Sequence, residues 1–456
     1  MKKILAILFF ITVSVHAQYK ITGQLNPAEK YNWVILYKVE GARQNFVKSG
    51  SVKKVSKIID GKSVSVGQFE FNFSKENKPG TYRVTYNVEK NGYVDFIFNN
   101  ENVTFLFDPN NAEESISFSE STENKLYKEY TALVTSEQYK TDSLQVDYLK
   151  NQQKVTAKLY KTQLAKIAAL QKIYLSKSKD RMAKSFIKAT NRYNSPLIIA
   201  KPKDYLKSVV NHFFDNIDFN NETLYNSTFL VDRITDYVFY MNHSDDVKTQ
   251  ITLHKKAVKT VLQKATNPIF KRDLIEFLIT QFTTQNNIEL ADHLLNSYYR
   301  KLPLSNQNTE FITNFLEQTQ VSIGRVAPEI TWKENGKNYK LSTINEAQNY
   351  VLIFWSTGCS HCLREIPKLH TVSKNKKNTK VIAFSLENND RDWKSWKKKL
   401  PGWHHIIGLN KWENLVSRQY QIHSTPTYIV LDNTKKIIAK PETLDEVKKI
   451  VEYLEE

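Results

Sequence analysis

Cysteine is nearly absent from this chain: 456 residues contain two, Cys359 and Cys362, with Ser360 and His361 between them. So few exclude a disulfide framework. A bridge between these two would close a very short gap and constrain the unfolded chain little, which points to reactivity rather than stapling. The count also leaves half a zinc site at most, because four ligands would need a second cysteine pair or paired histidines. No stretch reaches about eighteen continuous apolar residues, the length that spans a bilayer. Acidic residues are in deficit, 47 against 65 lysines and arginines, for a net charge of +18. The lysines are spread through the chain rather than gathered into an arginine-rich block with interleaved aromatics, so nucleic acid is not expected as a partner. The excess reads as a solvated basic surface, compatible with peripheral association with an anionic membrane.

Glycine is missing between Gly92 and Gly324, and proline between Pro109 and Pro196. Tight β-turns depend on glycine, so this long interval predicts helices. Amphipathic spacing supports that at Leu126, Tyr130 and Leu133, at Leu164, Ile167, Leu170 and Tyr174, and over Phe229–Met241 and Val247–Gln263. The apolar spacing of Thr122–Ser176 does not hold a strict heptad, which favours a bundle over a coiled coil. His212, His243, His254 and His293 stand singly here and read as surface or packing histidines.

What is present begins with Met1–Lys2–Lys3, an apolar run Ile4–Val15, and Val15–His16–Ala17 before Gln18. A basic start, a short apolar core and small residues at the cleavage positions predict a secretory signal peptide cut near Ala17. No cysteine follows for lipid attachment, so the expected location is the periplasm or another exported compartment. From Gln18 to about Ser119 the pattern is β: Phe69, Phe71 and Phe73 alternate with polar residues, and Asp60–Gly61, Pro79–Gly80 and Asn91–Gly92 mark turns. A small antiparallel sandwich or barrel is the natural expectation.

After Gly324 glycine and proline return, and strands alternate with helices. Val351–Trp355 reads as a strand, followed by a helix led by the cysteines to about Asn375. Val381–Leu386 reads as a strand, Asp390–Leu400 as a helix, and His404–Ile407 as a short strand. Lys411–Tyr420 follows as a helix. Thr427–Leu431 and Ile437–Ala439 form a hairpin around Asp432–Asn433, and Leu444–Leu454 closes as a helix. This order is a thioredoxin-like α/β layout. The expected organisation is a signal peptide at 1–17, a β-rich domain at 18–121, an α-helical domain at 122–320 and a thioredoxin-like domain at 321–456.

A strand that stops at a Cys-x-x-Cys opening a helix is the layout of a dithiol redox site. Cys359 at the helix start faces free amides and the positive end of the dipole, both of which favour its thiolate. His361 between the cysteines, if protonated or donating, favours it further and argues for a more oxidising dithiol. Cys359 is the expected exposed nucleophile, and Cys362, one turn inward, the resolving thiol. No cofactor beyond a Cys359–Cys362 redox disulfide is expected, and no metal. In Thr425–Pro426–Thr427, a proline at a strand entry cannot donate to the ladder. A cis bond there would bring the Thr425 backbone to the dithiol.

These residues carry a resemblance. Trp355–Ser356–Thr357–Gly358–Cys359–Ser360–His361–Cys362 with Arg364–Glu365–Ile366–Pro367, and Thr425–Pro426–Thr427 before an apolar strand, resemble the exported TlpA/ResA-like thiol–disulfide oxidoreductases of the thioredoxin superfamily. Gly324–Arg325–Val326–Ala327–Pro328 resembles that family's opening segment. The resemblance covers about Ile323–Glu456. It implies that Glu365 tunes the dithiol, that Pro367 kinks the helix, and that Thr425 and Pro426 form the cis-proline substrate segment. Trp355 is divided between packing beside the dithiol and contacting substrate. Two positions depart from the pattern: the middle dipeptide is Ser–His, more typical of DsbA-like oxidants, and Ile353 stands where cytosolic thioredoxins carry a buried aspartate. Reductase, oxidase and isomerase directions therefore stay open. The expected partners are disulfide- or thiol-bearing proteins and an upstream thiol electron carrier.

Two alternatives belong to other classes. In one, the large N-terminal region recognises a partner and the thioredoxin-like domain is regulatory or structural. In the other, the protein is a peroxidase, for which Ser356 is suitably placed but Leu352 occupies the position of a needed proline.

Overall fold

The alternation of Phe69, Phe71 and Phe73 puts all three rings into the core of a β sandwich in the computed structural model, which describes residues 19–27, 31–59 and 61–455. The expected signal peptide lies outside the described residues. The chain divides into two compact units, 1–274 and 275–456.

In the first unit two sheets face each other. One has the order β4-β5-β1-β8-β9, from Lys53–Ile59, Lys62–Phe73, Tyr19–Leu25, Val103–Phe107 and Ser117–Glu120. The other has the order β3-β2-β6-β7, from Arg43–Ser51, Trp33–Glu40, Gly80–Asn87 and Gly92–Phe98. Ile21, Phe69 and Phe105 of the first and Leu36, Tyr82 and Phe96 of the second share one core. At Gly23, opposite Phe69, a Cβ would fall 1.9 Å from that ring, so only glycine lets the ring lie across β1. Two expectations need correction. Among the described residues the barrel does not close, because the outer strands of the two sheets do not pair and four edges remain. Nor is the pairing wholly antiparallel: β1 and β8 run parallel, since the chain visits the other sheet between them.

The glycine-free interval is largely helical. Ser121 caps the helix Thr122–Asn151 by accepting the Asn124 amide at 3.1 Å. The Asn124 side chain accepts the Ile97 N–H at 2.8 Å and donates to the Ile97 carbonyl at 2.6 Å, covering the open edge of β7. Gln152, in the left-handed region at φ 48°, turns the chain into a second long helix, Lys154–Lys177. The Phe229–Met241 pattern becomes the helix Thr228–Thr235 and a π-helical turn, Asp236–Met241.

The second unit includes the helices Ile288–Ser297 and Thr309–Thr319. Arg325 ties them to the α/β region through a bidentate pair with Asp292, 2.7 Å for both bonds, and a contact with Thr319 Oγ1 at 3.0 Å. After the hairpin β10–β11 (Thr331–Glu334, Lys337–Lys340) comes a sheet of order β14-β13-β12-β15-β16. Its strands are His404–Leu409, Thr379–Glu387, Asn349–Trp355, Thr427–Asp432 and Ile437–Ala439. The first three are mutually parallel, and β15 runs antiparallel to β12 and β16. Central β12 is buried throughout. Its alternation sends Leu352 and Phe354 to one layer, with Ile382, Phe384 and Tyr420. Val351, Ile353 and Trp355 go to the other, against Cys362, Ile366 and Leu369 of the helix Ser360–Ser373 and Val447 and Val451 of the helix Leu444–Glu455. This is a thioredoxin-like arrangement, and it delivers the end of β12 to the start of the cysteine helix.

Candidate active site

β12 ends at Trp355, and four residues later Cys359 is the N-cap of the helix Ser360–Ser373. Its sulfur takes the role a serine or aspartate oxygen usually plays, accepting the Cys362 N–H at 3.1 Å. The turn that carries it is anchored from the neighbouring strand. Glu387, at the end of β13 and 5% exposed, accepts the Thr357 N–H at 2.6 Å, the Thr357 hydroxyl at 2.8 Å and the Ser385 hydroxyl at 2.6 Å. Ser356 Oγ accepts the Gly358 N–H at 3.2 Å within the same turn.

The two thiols have different surroundings. Both are free; Cys359 is half-buried and Cys362 is fully buried. The Cys359 thiol donates to the Thr425 carbonyl at 3.3 Å, and the Thr425–Pro426 peptide is cis. Burial pushes Cys359 up. Contacts with Cys362 and Thr425 and the amides of Cys362 and His361 outweigh it, and the net shift is below the ordinary cysteine value. Cys362 moves the other way. Burial first, then its hydrogen bond with Cys359, pushes it up to about 12. An accessible thiol that ionises readily therefore sits beside a covered one that holds its proton.

Glu365 lies one turn beyond Cys362 and is held on both sides. The Tyr428 hydroxyl donates to its Oε2 at 2.6 Å, and His361 Nε2 lies 2.9 Å from its Oε1. Tyr428 belongs to β15, in register opposite Ile353 of β12. Burial pushes its hydroxyl well above the ordinary tyrosine value; the bond to Glu365 and the charges of Glu365, Cys362 and Cys359 add to the rise. The phenol thus lies within electrostatic reach of both thiols.

Of the residues singled out from sequence, Cys359, Cys362, Thr425 and Pro426 meet at one point, with Glu365 on the inner side. His361 Nε2 faces Glu365, four residues on along the same helix. Trp355 is fully buried, packs edge-on to Trp396 with ring centroids 6.2 Å apart, and its indole N–H meets no acceptor. That place packs the ring within the layer that also holds Cys362. Glu387 and Tyr428 were not anticipated as site residues. The readable signal for Glu387 was a carboxylate ending the strand after the nucleophile's own, since the carboxyl ends of parallel strands gather at functional sites. Tyr428 gave none beyond its place just after Thr425–Pro426–Thr427. Among the described residues, no cluster of three or more His, Cys, Asp or Glu side chains has metal-binding geometry.

Comparison with known proteins bears on this same region. Residues 323–440 match the model of the AhpC/TSA family, and they make up most of a thioredoxin-like C-terminal domain. The chain is similar to the thiol–disulfide oxidoreductase ResA of Geobacillus thermodenitrificans (strain NG80-2), 24% identical over 152 residues, covering 32% of this chain and 86% of that protein. Among solved structures, it is similar to the thioredoxin domain of a thiol–disulfide oxidoreductase from Bacteroides vulgatus. That likeness has 28% identity and a TM-score of 0.26, over 30% of this chain and 99% of that one. It is also similar to a thiol:disulfide interchange protein from a Bacteroides species, at 27% identity and a TM-score of 0.26, over 30% and 91%.

Proposed function

We propose that this protein is an exported thiol–disulfide oxidoreductase that exchanges disulfides with protein substrates through Cys359–Ser360–His361–Cys362. One observation carries the reading: the Cys359 sulfur caps a helix while touching the carbonyl before a cis proline, with its partner thiol buried one turn inward. In the reducing direction the Cys359 thiolate attacks one sulfur of a substrate disulfide. A mixed disulfide forms, and the other substrate sulfur leaves as a thiolate that takes a proton from water. Cys362 then gives its proton to Glu365 and attacks Cys359. The Cys359–Cys362 bond forms, the mixed disulfide breaks, and the second substrate thiol is released. Two electrons pass from the dithiol to the substrate, and an upstream thiol carrier restores them. Run in reverse, the same steps oxidise a dithiol.

The assay is disulfide exchange on insulin or a model peptide with wild type and Cys359→Ser. Wild type turns over and the variant does not; comparable activity in both sinks the assignment. The export part rests on Met1–Ala17, and N-terminal sequencing of the mature protein should begin at Gln18.

Peroxide chemistry is a second reading, favoured by the AhpC/TSA match and by Ser356 three residues before Cys359. Against it, Ser356 Oγ is engaged with its own turn, and buried Leu352 stands where a proline is wanted. Hydrogen peroxide turnover by the reduced protein should be negligible beside disulfide exchange.

A further inference from the structure

Resolving a mixed disulfide has a requirement that Cys359 does not face. Cys362 is fully buried and holds its proton firmly, so its proton must pass to a group already in place as the sulfur attacks. The strand beneath offers no acceptor: Ile353 of β12 is packed against Cys362 in the apolar layer. The nearest carboxylate in sequence is Glu365, three residues on along the same helix face. A glutamate side chain has several rotatable bonds, and left alone Glu365 would spend much of its time turned to solvent.

Two contacts prevent this. Tyr428, 1% exposed, crosses from β15 to donate to Oε2 at 2.6 Å, and His361 Nε2 stands 2.9 Å from Oε1. Tyr428 is fixed by its pairing with Ile353, so the phenol is as rigid as the sheet. The carboxylate itself is 19% exposed, while the histidine ring is mostly in solvent. The tyrosine is thus the rigid partner and the histidine the mobile one.

We propose that Tyr428 is a positioning residue for the resolving step: its hydroxyl holds Glu365 beside Cys362, and His361 closes the outer side of the same carboxylate. This rests on the exchange reading above and assigns the half-reaction that depends on β15. In that half-reaction the Cys362 proton goes to Glu365, the Cys359–Cys362 bond forms and the bond from Cys359 to the substrate sulfur breaks. Tyr428 neither gains nor loses a proton overall. Attack by Cys359 on the substrate comes earlier and does not use it.

The two steps separate in the reaction of the reduced full-length protein with 5,5′-dithiobis(2-nitrobenzoate). Cys359 attack releases one thionitrobenzoate anion and leaves the other on Cys359; Cys362 attack releases the second. Stopped-flow absorbance should show two phases in wild type. Tyr428→Phe keeps the ring that fills the core and removes only the hydroxyl. It should leave the first phase within about twofold and slow the second about tenfold, the scale of one hydrogen bond to a charged group. Glu365→Gln should slow the second phase at least as much, and the double variant no further than Glu365→Gln alone, because both act through one carboxylate. An unchanged second phase in Tyr428→Phe, or equal slowing of both phases, overturns the proposal. So does an unchanged second phase in Glu365→Gln, however well Tyr428→Phe folds. If wild type releases only one equivalent, the exchange reading itself fails, which is a different outcome from either.

Discussion

The Cys359 thiol donates to the Thr425 carbonyl at 3.3 Å, joining the start of a helix to the residue that leads into a strand 66 positions later. The contact brings the carbonyl that precedes the cis proline onto the sulfur that caps the helix. On the same sulfur, the Cys362 amide favours the ionised form.

The two thiols should therefore separate in an alkylation experiment. With iodoacetamide on the reduced protein, Cys359 should be modified with a pH midpoint below that of an ordinary cysteine, since its shift is downward. Cys362, pushed up to about 12 and buried, should stay unmodified across the same range. Peptide mass spectrometry after each pH step reads both. Equal labelling at neutral pH would contradict the asymmetry.

Glu387→Ala removes a buried acceptor that serves the Thr357 amide, the Thr357 hydroxyl and the Ser385 hydroxyl. At least one buried donor is then orphaned, at a cost of about 2–3 kcal/mol. The urea midpoint should fall, and exchange activity should fall with it, because the freed turn carries Cys359. Glu387→Gln has one oxygen to accept with and should lie between the two. A variant with wild-type stability and activity would show that the turn holds itself.

A third consequence concerns acid stability. Glu334 accepts from His404 Nδ1 at 2.9 Å and pairs with Lys397 at 3.1 Å, while His404 Nε2 reaches Glu346 at 3.1 Å. Burial pushes Glu334 up, but the contacts with His404 and Lys397 outweigh it and leave it below the ordinary glutamate value. A carboxylate lowered on folding adds stability above its unfolded value and loses it as the pH falls through the folded one. Glu334→Gln should thus destabilise the protein by about 3 kcal/mol near neutrality. The gap from wild type should shrink as the pH falls below the ordinary glutamate range. Urea unfolding of both proteins at several pH values checks it; a pH-independent gap would mean that packing, not charge, accounts for the loss.

Much of this site could be read from local sequence. Val351–Trp355 is a continuous apolar run, so its burial on both faces follows, and the cysteines mark where strand becomes helix. Thr425–Pro426 announced itself through a proline at a strand entry. Glu387 and Tyr428 did not, because each owes its place to register: β13 alongside β12 for one, β15 opposite β12 for the other. Such pairing is set by the packed layers, not by the residues near either one. The His361–Glu365 contact is legible in the sequence, because residues four apart on a helix are neighbours. Barrel closure failed for the same reason as register, since whether outer strands meet depends on the twist and length of whole sheets. The alternation of phenylalanines fixed only which faces are buried.

The most direct test of the central claim is covalent trapping with Cys362→Ser, which removes the resolving thiol and leaves Cys359 in its cap. Incubated with a disulfide-bearing protein, this variant should accumulate a mixed disulfide through Cys359 that dithiothreitol reverses, and Cys359→Ser should form none. A mixed disulfide of the Cys359→Ser protein, which could form only through Cys362, in an amount equal to that of Cys362→Ser, or no adduct with either, would contradict the assignment of Cys359 as the attacking thiol.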